Sequence, residues 1–229
     1  MTAAAVYALI VIAAYLLGSL PFGLIISKAH GVDIREHGSG NIGATNVWRV
    51  LGRKWGLLTF FGDWAKGLLA VLLGMWIGAH FPSAFRDHSF AGIVAAIGCI
   101  LGHSCPVWLK FKGGKGVATS LGVIVGMMPL ASAIVFGIWG IVFKASRYVS
   151  LASIVAALAL PVVVIALIFA GLVHGWANFY FACAAALLVI ARHRANINRL
   201  IAGTENRFRS PAAGAAPPDA PSAADERTE

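Results

Sequence analysis

Acidic residues are scarce: nine among 229, and four of them, Asp219, Asp225, Glu226 and Glu229, sit at the C-terminal end. What remains cannot form the carboxylate cluster that magnesium or calcium requires, so a metal-dependent phosphotransfer enzyme is disfavoured and no metal or other cofactor is expected. The three cysteines, Cys99, Cys105 and Cys183, lie in or beside apolar runs without CxxC spacing, which leaves neither a disulfide framework nor a zinc site. The GxSxG elbow of serine hydrolases is missing. A Walker phosphate loop is missing as well, because Lys115 is followed by Gly116 and not by Ser or Thr. No internal repeat is evident, which argues against a transporter built on inverted halves.

What the chain has in abundance is apolar surface. Hydrophobic residues make up 59% and charged residues 12%, and the mean hydropathy is +0.81. Those figures place it among all-α integral membrane proteins. Its +9 formal charge lies in short segments between apolar runs, as orientation signals do, and nucleic acid is not expected as a partner. The first basic residue is Lys28, so the apolar N-terminus lacks the positive region of a signal peptide and is expected to remain as a first span.

Spans are expected at about 4–27, with a kink near Gly18, Pro21 and Gly23, and then at 55–79 and 90–109. A long basic loop is expected over residues 28–54. Residues 117–143 are apolar throughout and contain Pro129, so they form either one long tilted span or two short ones. Further spans are expected at 149–172 and 176–191. Counting two short spans gathers 16 of the 18 basic residues on one face, leaving Arg86 outside and Lys66 within the membrane. The positive-inside rule therefore favours seven transmembrane helices, N-terminus outside and C-terminus cytoplasmic. A membrane domain over residues 1–208 would be followed by a disordered cytoplasmic tail, 209–229, rich in Ala, Pro and Ser.

Four polar groups converge on the expected cytoplasmic face. Residues 102–119, GHSCPVWLKFKGGKGVAT, join Lys110, Lys112 and Lys115 to Gly113, Gly114 and Gly116 just ahead of an apolar helix. Backbone N–H groups, a helix start and positive charge together suit an anion, although the lysines alone would also serve as an orientation signal. Gly38, Ser39, Gly40, Asn41, Gly43, Thr45 and Asn46 offer backbone and side-chain donors, with Arg49 able to fork a phosphate; a capped Gly-rich turn would account for the same residues. Ser150 and Ser153 follow Arg147 and suit the start of a helix as N-caps. The fourth group is Arg192, His193, Arg194, Asn196 and Arg199, more than a basic membrane flank requires. Within the membrane, Asp63 and Lys66 are spaced to meet on one helix face, either bordering a cavity or simply holding the helix in place. His103 suits a capped helix end or a site, while His30, His37, His80, His88 and His174 are expected in loops.

GSLPFG (18–23), GSGNIGATNVWR (38–49), GHSCPVWLKFKGGKGVAT (102–119), RYVSLAS (147–153) and RHRANINRL (192–200), in this order, resemble the bacterial membrane glycerol-3-phosphate acyltransferases that use acyl phosphate. The resemblance spans about residues 5–208. It implies seven spans in the bacterial cytoplasmic membrane, with acyl transfer from acyl phosphate to the 1-hydroxyl of glycerol 3-phosphate, yielding lysophosphatidic acid and phosphate as the first acylation of phospholipid synthesis. By matching position it assigns Ser39, Arg49, Lys115, His193 and Asn196 to catalysis. Substrate binding would fall to Gly38, Gly40, Asn41, Gly43, Thr45, Asn46, His103, Lys112, Gly113, Gly114, Gly116 and Ser150. The implied partners are the two substrates, the lipid bilayer and the soluble enzyme that makes acyl phosphate. The general base stays open between His193, His103 and a donor phosphate oxygen, and an anion transporter or channel is the rival reading.

Overall fold

A long apolar run broken by a proline sets the first crossing. Helix α1 (Ala3–Gly18) stops where Pro21, which has no N–H to donate, precedes α2 (Phe22–Lys28), and the pair forms one bent apolar segment of 26 residues. This computed structural model describes residues 2–82, 84 and 88–208. The expected tail, Arg209 and Arg86 lie outside the described residues.

The remaining helices are α3 (Ala44–Leu51), α4 (Arg53–His80), α5 (His88–Ser104), α6 (Val117–Met127), α7 (Pro129–Ser146), α8 (Val149–Phe169), α9 (Trp176–Arg192) and α10 (Arg194–Ile201). Among the described residues there is no strand. Among the described residues, five segments are long and apolar enough to cross a membrane, or six if α9 and α10, bent by 59°, count as one. Helix α6, at 11 residues, is well short of the roughly 20 that a full crossing needs. The break expected at Pro129 is present: α6 ends at Met127, and the proline opens α7 at its first turn, where a missing N–H costs nothing.

Two expectations need correction. Residues 28–54 are not all loop, because Ala44–Leu51 folds as α3 between Gly43 and Gly52; Gly52 ends it at φ +90°, open to glycine. Its buried Val47 packs in one cluster with Ile34 and Ile42 from the preceding loop, the apolar contact that drives the segment to fold. His80 and His88 are helix-terminal residues and not loop residues.

Where water gives no hydrophobic drive, helices approach through small residues. A side chain at Gly122 of α6 would overlap the Trp64 carbonyl of α4, and one at Gly18 would overlap that of Cys99 on α5. The main buried cluster runs through Val71, Ile100, Val123, Val135, Val164 and Phe181, drawing on α4–α9. Leu69, Trp76, Ile141, Val162 and Leu187 point outward, as lipid-facing residues do. Lys66 is fully buried, 2.7 Å from Asp63 and donating to the Leu20 carbonyl at 2.7 Å, so α4 is tied to the α1–α2 break.

Candidate active site

The end of the bundle that holds the α2–α3 connection also gathers the starts of α4, α6 and α8 and the ends of α5, α7 and α9 around a cavity of about 440 Å³. Its polar mouth and apolar depth come from different parts of the sequence. Ser39, Asn41, Gly43, Thr45, Asn46 and Arg49 enter from the first Gly-rich segment and α3, and His103, Lys115 and Gly116 enter from the lysine loop. Ser150, His193 and Asn196 complete the polar lining. Inward from these, Val135, Phe136 and Trp139 of α7, Ala156, Ala157 and Leu160 of α8 and Ala185, Ala186 and Val189 of α9 line an apolar groove.

Gly38, Gly40, Gly113 and Gly114 do not line the cavity among the described residues; they shape the two loops beside it. Gly38 and Gly40 take φ +60° and +67°, and a side chain at Gly38 would strike the Asn46 amide. Asn46 is spent on its loop: its Oδ1 accepts the Ser39 N–H at 2.9 Å, and its Nδ2 donates to the carbonyls of Ile34, His37 and Asn41 at 3.2, 3.0 and 2.9 Å. Lys112 is exposed and outside the cavity.

The polar mouth is one network. Lys115 Nζ donates to Asn196 Oδ1, and Asn196 Nδ2 donates to Glu205 Oε1 at 2.7 Å. Ser150 Oγ donates to the same carboxylate oxygen at 2.6 Å, and Arg199 Nε donates to its other oxygen at 2.7 Å. Ser150 is thus no N-cap; that position is held by Tyr148, with no side-chain bond. Ser153 instead bonds back to the Val149 carbonyl and takes a hydrogen bond from Trp139.

His193 Nδ1 lies 2.7 Å from the Val189 carbonyl. A carbonyl only accepts, so Nδ1 carries the proton and the neutral ring keeps Nε2 as an acceptor. Burial pushes the Lys115 ammonium down to about 8, with the Glu205 carboxylate opposing that shift and Arg199, Arg49 and Arg192 adding to it. Burial pushes Glu205 up, yet hydrogen bonds from Ser150, Asn196 and Arg199 outweigh it and hold the carboxyl below its usual range. Arg49 is half-buried, and its guanidinium makes no hydrogen bond among the described residues. Arg49, Lys115 and Arg199 thus stand beside Glu205 at the mouth, while Asp63, the other carboxylate of the lining among the described residues, is paired with Lys66; the excess of positive charge suits phosphate.

A family model described as glycerol-3-phosphate acyltransferase matches residues 8–203. The chain belongs to this family. It is 46% identical over 195 residues to the glycerol-3-phosphate acyltransferase of Desulforudis audaxviator, covering 85% of this chain and 91% of that one. To the Aquifex aeolicus glycerol-3-phosphate acyltransferase it is 44% identical over 200 residues, covering 87% and 97%. A crystal structure of PlsY, an integral membrane glycerol 3-phosphate acyltransferase in its glycerol 3-phosphate form, superposes with a TM-score of 0.77 at 42% identity, covering 89% of this chain and 96% of that one. The lysophosphatidic acid form gives 0.75.

This acyltransferase carries site residues that the sequence pattern did not single out. Glu205 is the foremost, and its signal was available: it is the one acidic residue between Asp87 and Asp219, set against a basic helix end. The segment behind it folds back over the mouth, with the Phe208 N–H donating to the Arg147 carbonyl at 2.8 Å and the Phe208 ring packed on Trp48 and Phe143. Asp63 also reaches the cavity lining, 3.5 Å from His103 Nδ1, so one member of the buried pair borders the site while Lys66 ties α4 to the α1–α2 break.

Proposed function

We propose that the protein transfers an acyl group from acyl phosphate to the 1-hydroxyl of glycerol 3-phosphate, releasing inorganic phosphate and lysophosphatidic acid at the cytoplasmic face of a bacterial membrane. One observation carries this reading: a single cavity joins a cation-rich polar mouth to an apolar groove between α7, α8 and α9. Two phosphates and one acyl chain need that combination, and neither a soluble-substrate site nor an ion pore does.

Acyl phosphate is already an activated mixed anhydride, so the protein has mainly to orient and to stabilise charge. In this reading Arg49 and Lys115 hold phosphate, together with Ser39 and the N–H groups of the lysine loop. Ser150 and Asn196 fix the polar end of the glycerol. The hydroxyl oxygen attacks the acyl carbon while the bond to the phosphate oxygen breaks. The hydroxyl proton, guided by the free Nε2 of His193, ends on the departing phosphate, whose leaving oxygen becomes basic as its bond to the acyl carbon breaks. The acyl chain lies in the groove past Ala156, Ala157 and Ala186.

The proposal includes seven crossings, N-terminus outside. It is supported by the starts of α4, α6 and α8 and the ends of α5, α7 and α9 lying at the one cavity, since a chain that alternates ends must cross once for each helix. Met127–Leu130 border a different cavity with Leu172, Val173 and His174, which places the α6–α7 and α8–α9 turns together. The deciding experiment gives EDTA-treated enzyme glycerol 3-phosphate with acyl phosphate or the matched acyl-CoA and follows lysophosphatidic acid. Turnover with acyl phosphate alone is expected. Preference for acyl-CoA would overturn the donor, and no product from either would overturn the reaction.

A further inference from the structure

The lysine loop carries its function only if its backbone N–H groups face the cavity, and glycine-rich backbone does not choose a face by itself. In this chain the choice is made from outside the loop. The Gly113 and Gly114 N–H groups donate to the Ser104 and His103 carbonyls at 3.2 and 3.1 Å, laying the loop along the end of α5. From the last turn of α9, the Arg192 guanidinium then takes three carbonyls on the far side. Its Nη2 donates to Ser104 O at 2.8 Å, Gly113 O at 3.0 Å and Gly114 O at 2.9 Å, and its Nε donates to Gly114 O at 3.2 Å.

In a trans peptide the N–H points opposite to the C=O. With the Gly114 carbonyl held by Arg192, the Lys115 N–H is turned the other way. Lys115 and Gly116 line the cavity, whereas Gly113, Gly114 and Arg192 do not. Among the described residues the Lys115 and Gly116 N–H groups take no backbone acceptor, and the start of α6 adds the free N–H groups of any helix N-terminus.

We propose that Arg192 is a positioning residue of the acyltransferase: it binds no substrate, but its fork fixes the carbonyls of Gly113 and Gly114 so that the Lys115–Gly116 backbone is presented to a phosphate. A planar guanidinium can hold several carbonyls at once. An ammonium at the same place supplies equal charge but not the fork. This distinguishes positioning from direct binding, because a lysine would still serve a phosphate as a point charge. The proposal rests on the phosphate-substrate reading, and a failure of that reading would appear in the unmodified enzyme, not in a difference between variants.

The test compares Arg192→Lys and Arg192→Ala with the unmodified protein in detergent. It measures KM and kcat for each substrate, inhibition by inorganic phosphate and thermal melting. Both variants should melt within a few degrees of the parent and show phosphate-substrate KM and phosphate inhibition constants raised about tenfold or more, the loss expected when charge-assisted hydrogen bonds are removed. Millimolar guanidinium should restore part of the affinity to Arg192→Ala and none to Lys115→Ala. Phosphate affinity retained in Arg192→Lys would overturn the proposal in favour of a direct or purely electrostatic role. Loss confined to kcat would also overturn it, as would absence of guanidinium rescue in a folded Arg192→Ala. Failure of both variants to fold would assign Arg192 to the fold instead.

Discussion

Raising the pH tests the site through one group. Lys115 is largely buried, donates to Asn196 Oδ1, and is pushed by burial down to about 8. A lysine is cationic below its pKa and neutral above it, so the charge offered to phosphate is lost as pH rises through that value. At pH 9 only about one Lys115 in eleven keeps its proton, and each further unit lowers that fraction about tenfold. Because kcat/KM reports the ionisation of the free enzyme and substrate, kcat/KM for glycerol 3-phosphate should fall about tenfold per pH unit beyond 8. It should rise on the acid side near pH 6, where the substrate phosphate takes its second charge. The assay is initial rates from pH 5 to 10 at subsaturating glycerol 3-phosphate, with uncatalysed loss of acyl phosphate subtracted. Lys115→Arg supplies the control: its guanidinium stays charged throughout, so the alkaline limb should disappear even if the absolute rate drops through misfit against Asn196. A wild-type profile flat to pH 10, or the same limb in Lys115→Arg, would refute the assignment of phosphate binding to this ammonium.

Arg49→Ala should lower kcat/KM by about tenfold to a hundredfold, the equivalent of about 1.5 to 3 kcal/mol, while leaving the melting temperature unchanged, since no hydrogen bond among the described residues uses that guanidinium; a melting scan beside the kinetics checks both. Asp63→Asn strands the buried Lys66 ammonium and should destabilise the protein by about 3–5 kcal/mol, whereas Asp63→Asn with Lys66→Met should recover most of the loss; equal melting of the two variants would contradict the pairing. For topology, His174→Cys should react with an impermeant maleimide on intact cells and Lys112→Cys only after lysis, in a background with Cys105 and Cys183 replaced. Labelling of both from outside would remove the seven-crossing arrangement.

Membrane class, most of the helix ends and the break at Pro129 were legible in the sequence, because apolar length and proline chemistry are local. The two Gly-rich loops were legible for a similar reason: glycine, lysine and arginine crowded between apolar segments have few uses. Helix α3 was hidden because eight residues flanked by glycines look like turn, and only the pocket formed with Ile34 and Ile42 buries Val47. The roles of Asn46 and Ser150 were hidden for another reason. Small polar side chains suit a ligand, a cap or a loop equally, and the choice depends on what lies opposite: three carbonyls for Asn46 and Glu205 for Ser150.

Pattern, composition and charge by themselves determined that this chain is a multi-span membrane protein with basic, Gly-rich loops between its apolar runs, since apolar length and charge follow from what each residue costs in lipid. Tertiary structure decided which of those residues meet. Lys115 and Asn196 are 81 positions apart, and Arg192 reaches carbonyls 78 to 88 positions away. No local preference encodes such contacts. They exist because α5 and α9 end, and α6 begins, at the same face, and that is settled by the packing of glycines and apolar faces along the whole length of the bundle.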